Sequence, residues 1–393
     1  MSVKIVHAAD FHLDSAFGAL SGEQARQRRR ESRELLTRLA NYVNQNGVDV
    51  VLLAGDLFDS DTTYRETLEA LSDALGAMRA RVFIAPGNHD PYSAKSPYAT
   101  LAWPENVHVF SSNTVERVVL PELSCAVYGA AFTASAQEES LLANFHAPED
   151  GLVHLMVLHG DLSAAGLRYD PITKEQIGQS GLDYLALGHT HQFGGFAREG
   201  KTTYAYSGCP EGRGFDELGE KGILAGSVGG GTAELSFVPF ARRRYEILRV
   251  DVTGRDAESA LRAALPESTA RDSYRVIFTG ETDERGLALE VLRERFAPDF
   301  FSLELRDETR IGESVWARAS EDSLRGLFLR ELRAKYDAAH SDDERAQLSL
   351  AARYGLAALD GRDLRTVGLS PGARRCGGRR GDGHQAHDRN RDY

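Results

Sequence analysis

Five polar clusters follow five short apolar stretches of the chain, and they constrain the fold more than any other feature. Each apolar stretch is typical of a buried strand, and each cluster places Asp, His or Asn side chains where that strand should end. The clusters are Asp10-Phe11-His12, Gly55-Asp56-Leu57-Phe58-Asp59, Gly87-Asn88-His89-Asp90, His159-Gly160-Asp161 and Gly188-His189-Thr190-His191. Because buried ionisable groups are costly unless they are paired or bound to a metal, a purely structural role explains this pattern poorly.

The first part of the chain alternates between predicted strands and predicted helices. We predict strands over 3–9, 48–54 and 82–85 and helices over 23–45 and 63–80. This alternation is typical of a layered α/β domain. Ligands bind at the carboxyl ends of the strands in such domains, which is where the polar clusters lie.

Short predicted strands dominate the next part of the chain, up to about residue 240. They cover 107–110, 115–120, 125–130, 152–158, 182–187, 203–206, 222–227 and 233–238. We therefore expect an α/β fold of the α+β sandwich type over 1–240, in which two packed sheets are flanked by helices.

Three further segments follow a predicted boundary at 241–244. Residues 245–310 are predicted to form a small α+β domain without a ligand cluster, and 323–360 to form two helices. The second helix has one stripe with three small residues, which implies a close-packed neighbour; the stripe is Leu348, Ala351, Ala352, Gly355 and Leu359. These helices could pack on their own domain or bind a partner. Residues 367–393 are rich in Gly, Arg and His and are predicted to be disordered.

Composition and charge bound the class of protein. The net charge of −12 argues against a basic protein surface but leaves a local nucleic-acid site open. The three cysteines fit no zinc or disulfide pattern, no apolar run reaches the ~20 residues of a membrane span, and the N-terminus has no signal-peptide pattern. We expect a soluble, cytoplasmic protein that does not bind a membrane.

Seven side chains of the clusters are candidate metal ligands: Asp10, His12, Asp56, Asn88, His159, His189 and His191. Imidazole with carboxylate suits Mn²⁺, Fe²⁺ or Zn²⁺ better than Mg²⁺ or Ca²⁺. Seven ligands are too many for one ion, whereas two ions that share a carboxylate use them well. Two such ions can hold a hydroxide that attacks the phosphorus of a phosphate ester, and His89 is free to protonate the leaving group.

The order of these motifs resembles the calcineurin-like metallophosphoesterases over about residues 4–210. The resemblance implies a two-sheet sandwich with a dinuclear site. It implies that one metal is bound by Asp10, His12, Asp56 and His191. It implies that Asp56 also bridges to a second metal, which is bound by Asn88, His159 and His189. His89 matches the family's proton-donating histidine, and Asp59 matches the carboxylate that orients it.

Within that superfamily, Asp10-Phe11-His12-Leu13 resembles the DNA-repair exonucleases of the SbcD and YhaO type. The segments Ser207-Gly208-Cys209-Pro210 and Glu217-Leu218-Gly219-Glu220-Lys221-Gly222 fit the same type. The resemblance implies that 245–310 is a capping domain and that 323–360 binds a coiled-coil ATPase of the SMC type. The expected partners are DNA and this ATPase, and a homodimer stays open.

Two functional interpretations share all the catalytic residues. The leading one is a Mn²⁺-dependent DNA exonuclease or endonuclease; the alternative is a metallophosphoesterase that acts on small phosphodiesters or phosphoproteins. The segments after residue 240 favour the nuclease. Arginines near the start of the first helix form either a solvated face or a phosphate-contacting surface; they are Arg26, Arg28, Arg29, Arg30 and Arg33.

Overall fold

The computed structural model of the chain describes residues 2–59, 63–162 and 168–362. These residues divide into two compact units. The first holds the residues up to Leu248 together with Leu265–Arg275 and Phe296–Glu304, and the second holds Arg249–Ala264, Val276–Arg295 and the described residues from Leu305 onward. The domain bounds 1–240, 245–310 and 323–360 stay predictions, and the predicted tail 367–393 lies outside the described residues.

The described residues form nineteen strands, nine α-helices and three short 3₁₀ turns. The strands are β1 (Ser2–Ala8), β2 (Val50–Leu53), β3 (Arg81–Ile84), β4 (Val107–Val109), β5 (Glu116–Leu120), β6 (Cys125–Gly129), β7 (Val153–His159), β8 (Asp161–Leu162), β9 (Pro171–Ile172), β10 (Tyr184–Gly188), β11 (Ala197–Glu199), β12 (Thr202–Tyr206), β13 (Gly222–Gly229), β14 (Thr232–Pro239), β15 (Tyr245–Asp251), β16 (Ser273–Thr279), β17 (Glu281–Thr282), β18 (Ser302–Asp307) and β19 (Arg310–Ile311). The α-helices are α1 (Gly22–Asn46), α2 (Arg65–Gly76), α3 (Pro97–Thr100), α4 (Lys174–Gln179), α5 (Ala257–Ala264), α6 (Leu289–Phe296), α7 (Glu313–Trp316), α8 (Leu324–Ala338) and α9 (Asp342–Leu359). The 3₁₀ turns are Pro121–Leu123, Ala297–Asp299 and Ala317–Ser320.

Two six-stranded sheets form most of the first unit. The first sheet has the order β14-β13-β1-β2-β3-β4, and the second has the order β11-β12-β10-β7-β6-β5. In the first sheet β1 to β4 are parallel and β13 and β14 are antiparallel. In the second sheet β12, β10, β7 and β6 are parallel, while β11 and β5 form antiparallel edges. The predicted mixed α/β fold with two sheets is confirmed.

The central strands are buried on both faces, which explains their nearly uninterrupted apolar sequences. Between the sheets, Ile5, Leu52 and Phe83 pack in one core cluster with Leu155 and Ala186. On the other face of the first sheet, β2 and β3 pack against α1 and α2 in a second cluster; it includes Val51, Val82, Leu36, Leu39, Leu71 and Leu75. Apolar burial on both faces therefore fixes the strands whose ends carry the polar clusters.

Helix α1 has well-defined ends. The Ser21 hydroxyl accepts a hydrogen bond from the Gln24 N–H, and the Gln24 side chain bonds back to the Ser21 N–H in a capping box. Gly47 ends the helix with a left-handed φ of 60°, as its position in the sequence predicts. Helix α2 is shorter than the predicted helix over 63–80, since it begins at Arg65 and ends at Gly76.

One arginine of α1 fits neither interpretation of the arginine group. Arg28 is fully buried. Its guanidinium lies 3.0 Å from Glu31 Oε2 and 2.7 Å from Glu211 Oε1, and it donates to the Gly212 carbonyl oxygen at 2.7 Å. Arg28 thus ties α1 to the chain segment that begins at Glu211, and it cannot contact a phosphate.

The small-residue stripe of α9 has the close neighbour that the sequence predicts. A Cβ atom at Gly355 would overlap the Phe328 ring of α8. Ala352 and Leu356 of α9 form one buried cluster with Leu329 of α8. The buried side of this helix pair therefore packs within its own unit. No helix within the described ranges combines the length and apolar character that crossing a bilayer requires.

Candidate metal centre

The seven predicted ligands all belong to the first unit, at the carboxyl ends of five strands. Asp10 follows β1, Asp56 follows β2 and Asn88 follows β3, all in the first sheet. In the second sheet, His159 ends β7 and His189 follows β10. The loops at these ends bring the polar atoms within a few ångströms of one another, so the two sheets supply complementary halves of one site.

Four of the side chains form a first group. The Nε2 atoms of His12 and His191 are 3.2 Å apart. His191 Nε2 lies 3.9 Å from Asp10 Oδ1, and His12 Nε2 lies 3.7 Å from Asp56 Oδ2. The ligand atoms of Asp10, His12 and His191 all lie within 4.8 Å of one another, as a common ion would require.

The second group shares Asp56 with the first. His159 Nε2 lies 3.4 Å from Asp56 Oδ2 and 2.9 Å from Asn88 Oδ1. His189 Nδ1 lies 3.3 Å from the same Asn88 oxygen. Asp56 Oδ2 thus faces an imidazole nitrogen on each side, which is the position that a bridging carboxylate needs.

The hydrogen bonds show that the facing atoms carry lone pairs rather than protons. The carbonyl oxygen of Ala54 can only accept, so His159 Nδ1, 3.0 Å away, carries the ring proton. His12 Nδ1 is 3.1 Å from Asp59 Oδ1, and His191 Nδ1 is 2.8 Å from Glu217 Oε1. In neutral rings all three Nε2 atoms are then acceptors that point at other acceptors. Divalent cations fit between them, since ligand atoms stand roughly 2.0–2.2 Å from a transition metal.

Burial shifts the pKa values of the side chains at the site, and at the imidazoles it does so in the direction that metal binding needs. Burial lowers the pKa of the His159 imidazole, and it lowers the pKa of His189 to about 4, with help from the nearby His159. Burial and the neighbouring Asp56 raise the pKa of the Asp10 carboxyl well above its usual range. Burial also raises the pKa of Asp56, but His159, His12 and the His89 N–H outweigh it, so that the pKa is lowered. Neutral imidazoles beside a carboxylate are a typical transition-metal set.

The backbone at four of the ligand residues lies in the left-handed region, which side-chain-bearing residues rarely adopt. The φ angles are 55° at Asp10, 42° at His12, 51° at Asp56 and 106° at His189. Hydrogen bonds from backbone N–H groups to two of the carboxylates help to hold these loops. The His189 N–H donates to Asp10 Oδ1 at 3.1 Å, and the His89 N–H donates to Asp56 Oδ1 at 3.0 Å. Strained backbone of this kind concentrates at functional sites.

Glycine is needed where the strand ends approach one another. A Cβ atom at Gly188 would overlap the Ala54 carbonyl oxygen, and one at Gly87 would overlap Asp56 Oδ1. The glycines that precede His189 and Asn88 in the sequence therefore serve to bring β10 and β3 against the end of β2.

The two predicted catalytic side chains lie beside the first group. His89 is exposed, and its ring centroid is 4.9 Å from that of His12. Single ligand atoms of Asp59, His12 and His89 lie within 4.8 Å of one another. The Asp59 carboxylate bonds to His12 Nδ1 and, at 3.3 Å, to Arg213 Nη1. Its predicted role in orienting His89 remains a prediction.

Three residues at the site escaped the sequence analysis as functional groups. Glu217 and Arg213 contact His191. Glu217 begins a segment that resembles the SbcD and YhaO type, but nothing in its spacing connects it with a histidine 26 residues away. Asp90 is buried and accepts hydrogen bonds from the N–H groups of Phe58 and Gly87. Asp90 thus connects the loops that follow β2 and β3, and its position at the end of Gly-Asn-His-Asp is the sequence feature that points to a role at the site.

Comparison with known proteins agrees with this geometry. A family model described as calcineurin-like phosphoesterase matches residues 3–193. The chain is 32% identical to the metallophosphoesterase YhaO of Bacillus subtilis (strain 168) over 259 residues, which is 63% of this chain and 63% of that protein.

Two further relatives are named as a nuclease component and a repair protein. The SbcD component of the nuclease SbcCD of Bacillus subtilis (strain 168) is 30% identical over 123 residues, 30% of this chain and 29% of that protein. The DNA double-strand break repair protein Mre11 of Methanopyrus kandleri is 24% identical over 284 residues, 66% of this chain and 62% of that protein. Each of the three matches spans less than two thirds of the relative's own length.

The glycine that packs β10 against β2 gives a test of the site's geometry. We expect Gly188→Ala to lower the free energy of unfolding by about 1–3 kcal/mol, because the backbone must move to make room for the added methyl group. It should also lower the content of bound metal. Gly194→Ala is the matched control, because a Cβ atom there meets nothing within 4 Å. Urea unfolding and elemental analysis measure both effects, and a Gly188→Ala protein with wild-type stability and metal content would contradict the close approach.

Proposed function

We propose that this chain, whose residues 3–193 match the calcineurin-like phosphoesterase family, is a Mn²⁺-dependent nuclease that acts on DNA in repair. The observation that carries the proposal is the set of acceptor atoms around Asp56 Oδ2, which face one another without protons. Two of its relatives, the SbcD component of a nuclease and the repair protein Mre11, favour DNA over small phosphodiesters or phosphoproteins.

Two divalent ions are the cofactors that this set of side chains would hold. Asp10, His12, Asp56 and His191 would bind one ion, and Asp56, Asn88, His159 and His189 would bind the other. The nitrogen donors favour Mn²⁺ over Mg²⁺ and Ca²⁺, which prefer oxygen. When bound, the ions supply positive charge for a phosphate ester and lower the pKa of water.

The residues of the chain have three tasks in phosphodiester cleavage. The acceptor groups would hold the cations. Burial lowers the pKa values of His12, His159 and His189 and so keeps these imidazoles neutral. His89 gives a proton to the leaving alkoxide. Its exposed ring lies next to His12 and thus at the open side of the site. A leaving sugar oxygen is a poor leaving group without a proton, so this transfer belongs to the cleavage step.

The proposed partners are DNA and a coiled-coil ATPase of the SMC type, with residues 245–310 as a capping domain and 323–360 as the ATPase-binding segment. Helix α8 offers Leu324 and Leu327, which are 69% and 52% exposed and lie three residues apart. Side chains at this spacing share a helix face, so they form an apolar patch. A homodimer is an alternative occupant. The cytoplasm stays the proposed compartment, in keeping with the free, buried Cys125 and Cys209.

The decisive assay compares substrates. We expect the purified protein with Mn²⁺ to cleave labelled linear duplex and single-stranded DNA, with weaker turnover of bis-p-nitrophenyl phosphate, and a chelator should abolish all activity. Asp56→Asn should lose activity and bound metal, because one carboxylate serves both ions. Cleavage of the small ester alone would favour the alternative substrate class. Two ions and full turnover in Asp56→Asn would disprove the assignment of the site.

The role of His89 predicts a dependence on the leaving group. We expect His89→Ala to retain metal and to lose about 10²–10⁴-fold in the rate of DNA cleavage. The loss should be much smaller for bis-p-nitrophenyl phosphate, because p-nitrophenolate leaves without a proton. His146→Ala is the control, since that histidine is exposed and bonds only to the Gln179 carbonyl oxygen among the described contacts. Equal losses on both substrates would show that His89 is not the acid.

The partner surface is best tested by substitution, because Leu329 and Ala352 are buried between α8 and α9 and deletion would expose them. We expect Leu327→Glu to abolish co-purification with an SMC-type ATPase and to leave cleavage of single-stranded DNA unchanged. Val291→Glu, at a 57% exposed valine of the same unit, is the matched control. Normal ATPase binding by Leu327→Glu would remove α8 from the interface.

A further inference from the structure

Two histidines of the first group each have a carboxylate at Nδ1, on the side of the ring opposite the Nε2 atom that faces the site. His12 Nδ1 is 3.1 Å from Asp59 Oδ1, and His191 Nδ1 is 2.8 Å from Glu217 Oε1. The two Nε2 atoms on the opposite sides of the rings face each other at 3.2 Å. A carboxylate behind a ligating histidine fixes both the tautomer and the direction of the ring.

A single guanidinium joins these two carboxylates. Arg213 Nη1 donates to Asp59 Oδ1 at 3.3 Å, and Arg213 Nη2 and Nε donate to Glu217 Oε1 at 2.5 and 3.1 Å. Arg213 Nη2 also lies 3.1 Å from His191 Nδ1. Both atoms are donors there, because Nδ1 carries the proton shared with Glu217, so this approach is a close contact rather than a second bond. Glu217 Oε1 therefore accepts hydrogen bonds from both the His191 ring and the Arg213 guanidinium.

Arg213 is itself held in place by the segment that follows β12. Its own N–H donates to Glu217 Oε2 at 2.7 Å. The preceding Gly212 gives its carbonyl oxygen to the buried Arg28 of α1. The Arg213 side chain is 21% exposed and that of Glu217 is 3% exposed. The guanidinium therefore has little freedom to turn away from the two carboxylates.

We propose that Arg213 is a positioning residue that ties the pairs Asp59–His12 and Glu217–His191 together and so sets the spacing of the two Nε2 atoms that bind one metal. The planar guanidinium is suited to this task because it presents donors in two fixed directions. A lysine ammonium is a point charge on a flexible stem, and it would neutralise one carboxylate without fixing the other.

The inference rests on the proposed dinuclear site and refines it, because it concerns only one of the two ions. Arg213 does not contact His159 or His189 in the described structure. The Ala54 carbonyl oxygen accepts a hydrogen bond from His159, and the Asn88 amide oxygen contacts both rings. Loss of Arg213 should therefore weaken one metal site and spare the other. The effect of removing such a support on metal affinity is about 10–100-fold.

Calorimetric titration of the metal-free full chain with Mn²⁺ tests this selectivity. The wild type should bind two ions. Arg213→Met should bind one ion with unchanged affinity and the other about 10–100-fold more weakly, and Arg213→Lys should fall between. In electron paramagnetic resonance at one added equivalent and above, Arg213→Met should show more uncoupled Mn²⁺ signal than the wild type. Arg117→Met is the matched control, at a partly exposed arginine paired with Asp150.

The outcomes separate this inference from the function it rests on. A wild type that binds fewer than two ions would refute the dinuclear site itself. Two ions of wild-type affinity in Arg213→Met, with only a raised KM for DNA, would overturn the inference and make Arg213 a substrate contact. If Arg213→Met does not fold, Glu217→Gln answers the same question: it keeps the shape but weakens the support of His191, and two wild-type affinities in it would equally overturn the inference.

Discussion

Acceptor atoms that face one another without a proton between them are the constraint on which the rest of this structure depends. Asp56 Oδ2 lies between His12 Nε2 and His159 Nε2, and Asn88 Oδ1 lies against His159 as well. In a buried site such contacts repel, since the low dielectric strengthens every unpaired interaction. Cations convert the same arrangement from repulsive to attractive, and the proposed chemistry follows from the charge they bring.

The apolar core between the sheets sets the dimensions of this site. The carboxylates and the amide come from the ends of β1, β2 and β3, whereas His159 and His189 come from β7 and β10 in the other sheet. The distance between the two halves is thus determined by side chains such as Leu52 and Leu155, which pack between the sheets. Because protein interiors are close-packed and resist compression, a core substitution far from the metal ligands can change their spacing.

Local patterns account for what the sequence predicted well. The strands of the first unit, the ends of α1 and the seven candidate ligands all depend on residue types within a few positions of each other. The arginine contacts, in contrast, join residues that are far apart in the sequence. Arg28 contacts Glu211 across 183 residues, and Arg213 contacts Asp59 across 154. A local sequence pattern cannot predict contacts of this range.

The left-handed backbone at Asp10, His12, Asp56 and His189 has a consequence for the life of the protein in a cell. Strain at each such residue costs on the order of 1–3 kcal/mol, which is large against a typical net stability of roughly 5–15 kcal/mol. Ligands that bind only the folded state raise its population by mass action. A chain made when its metal is scarce would spend more time open and would be degraded sooner by proteases. Its abundance would then follow the supply of the metal, with no dedicated regulator.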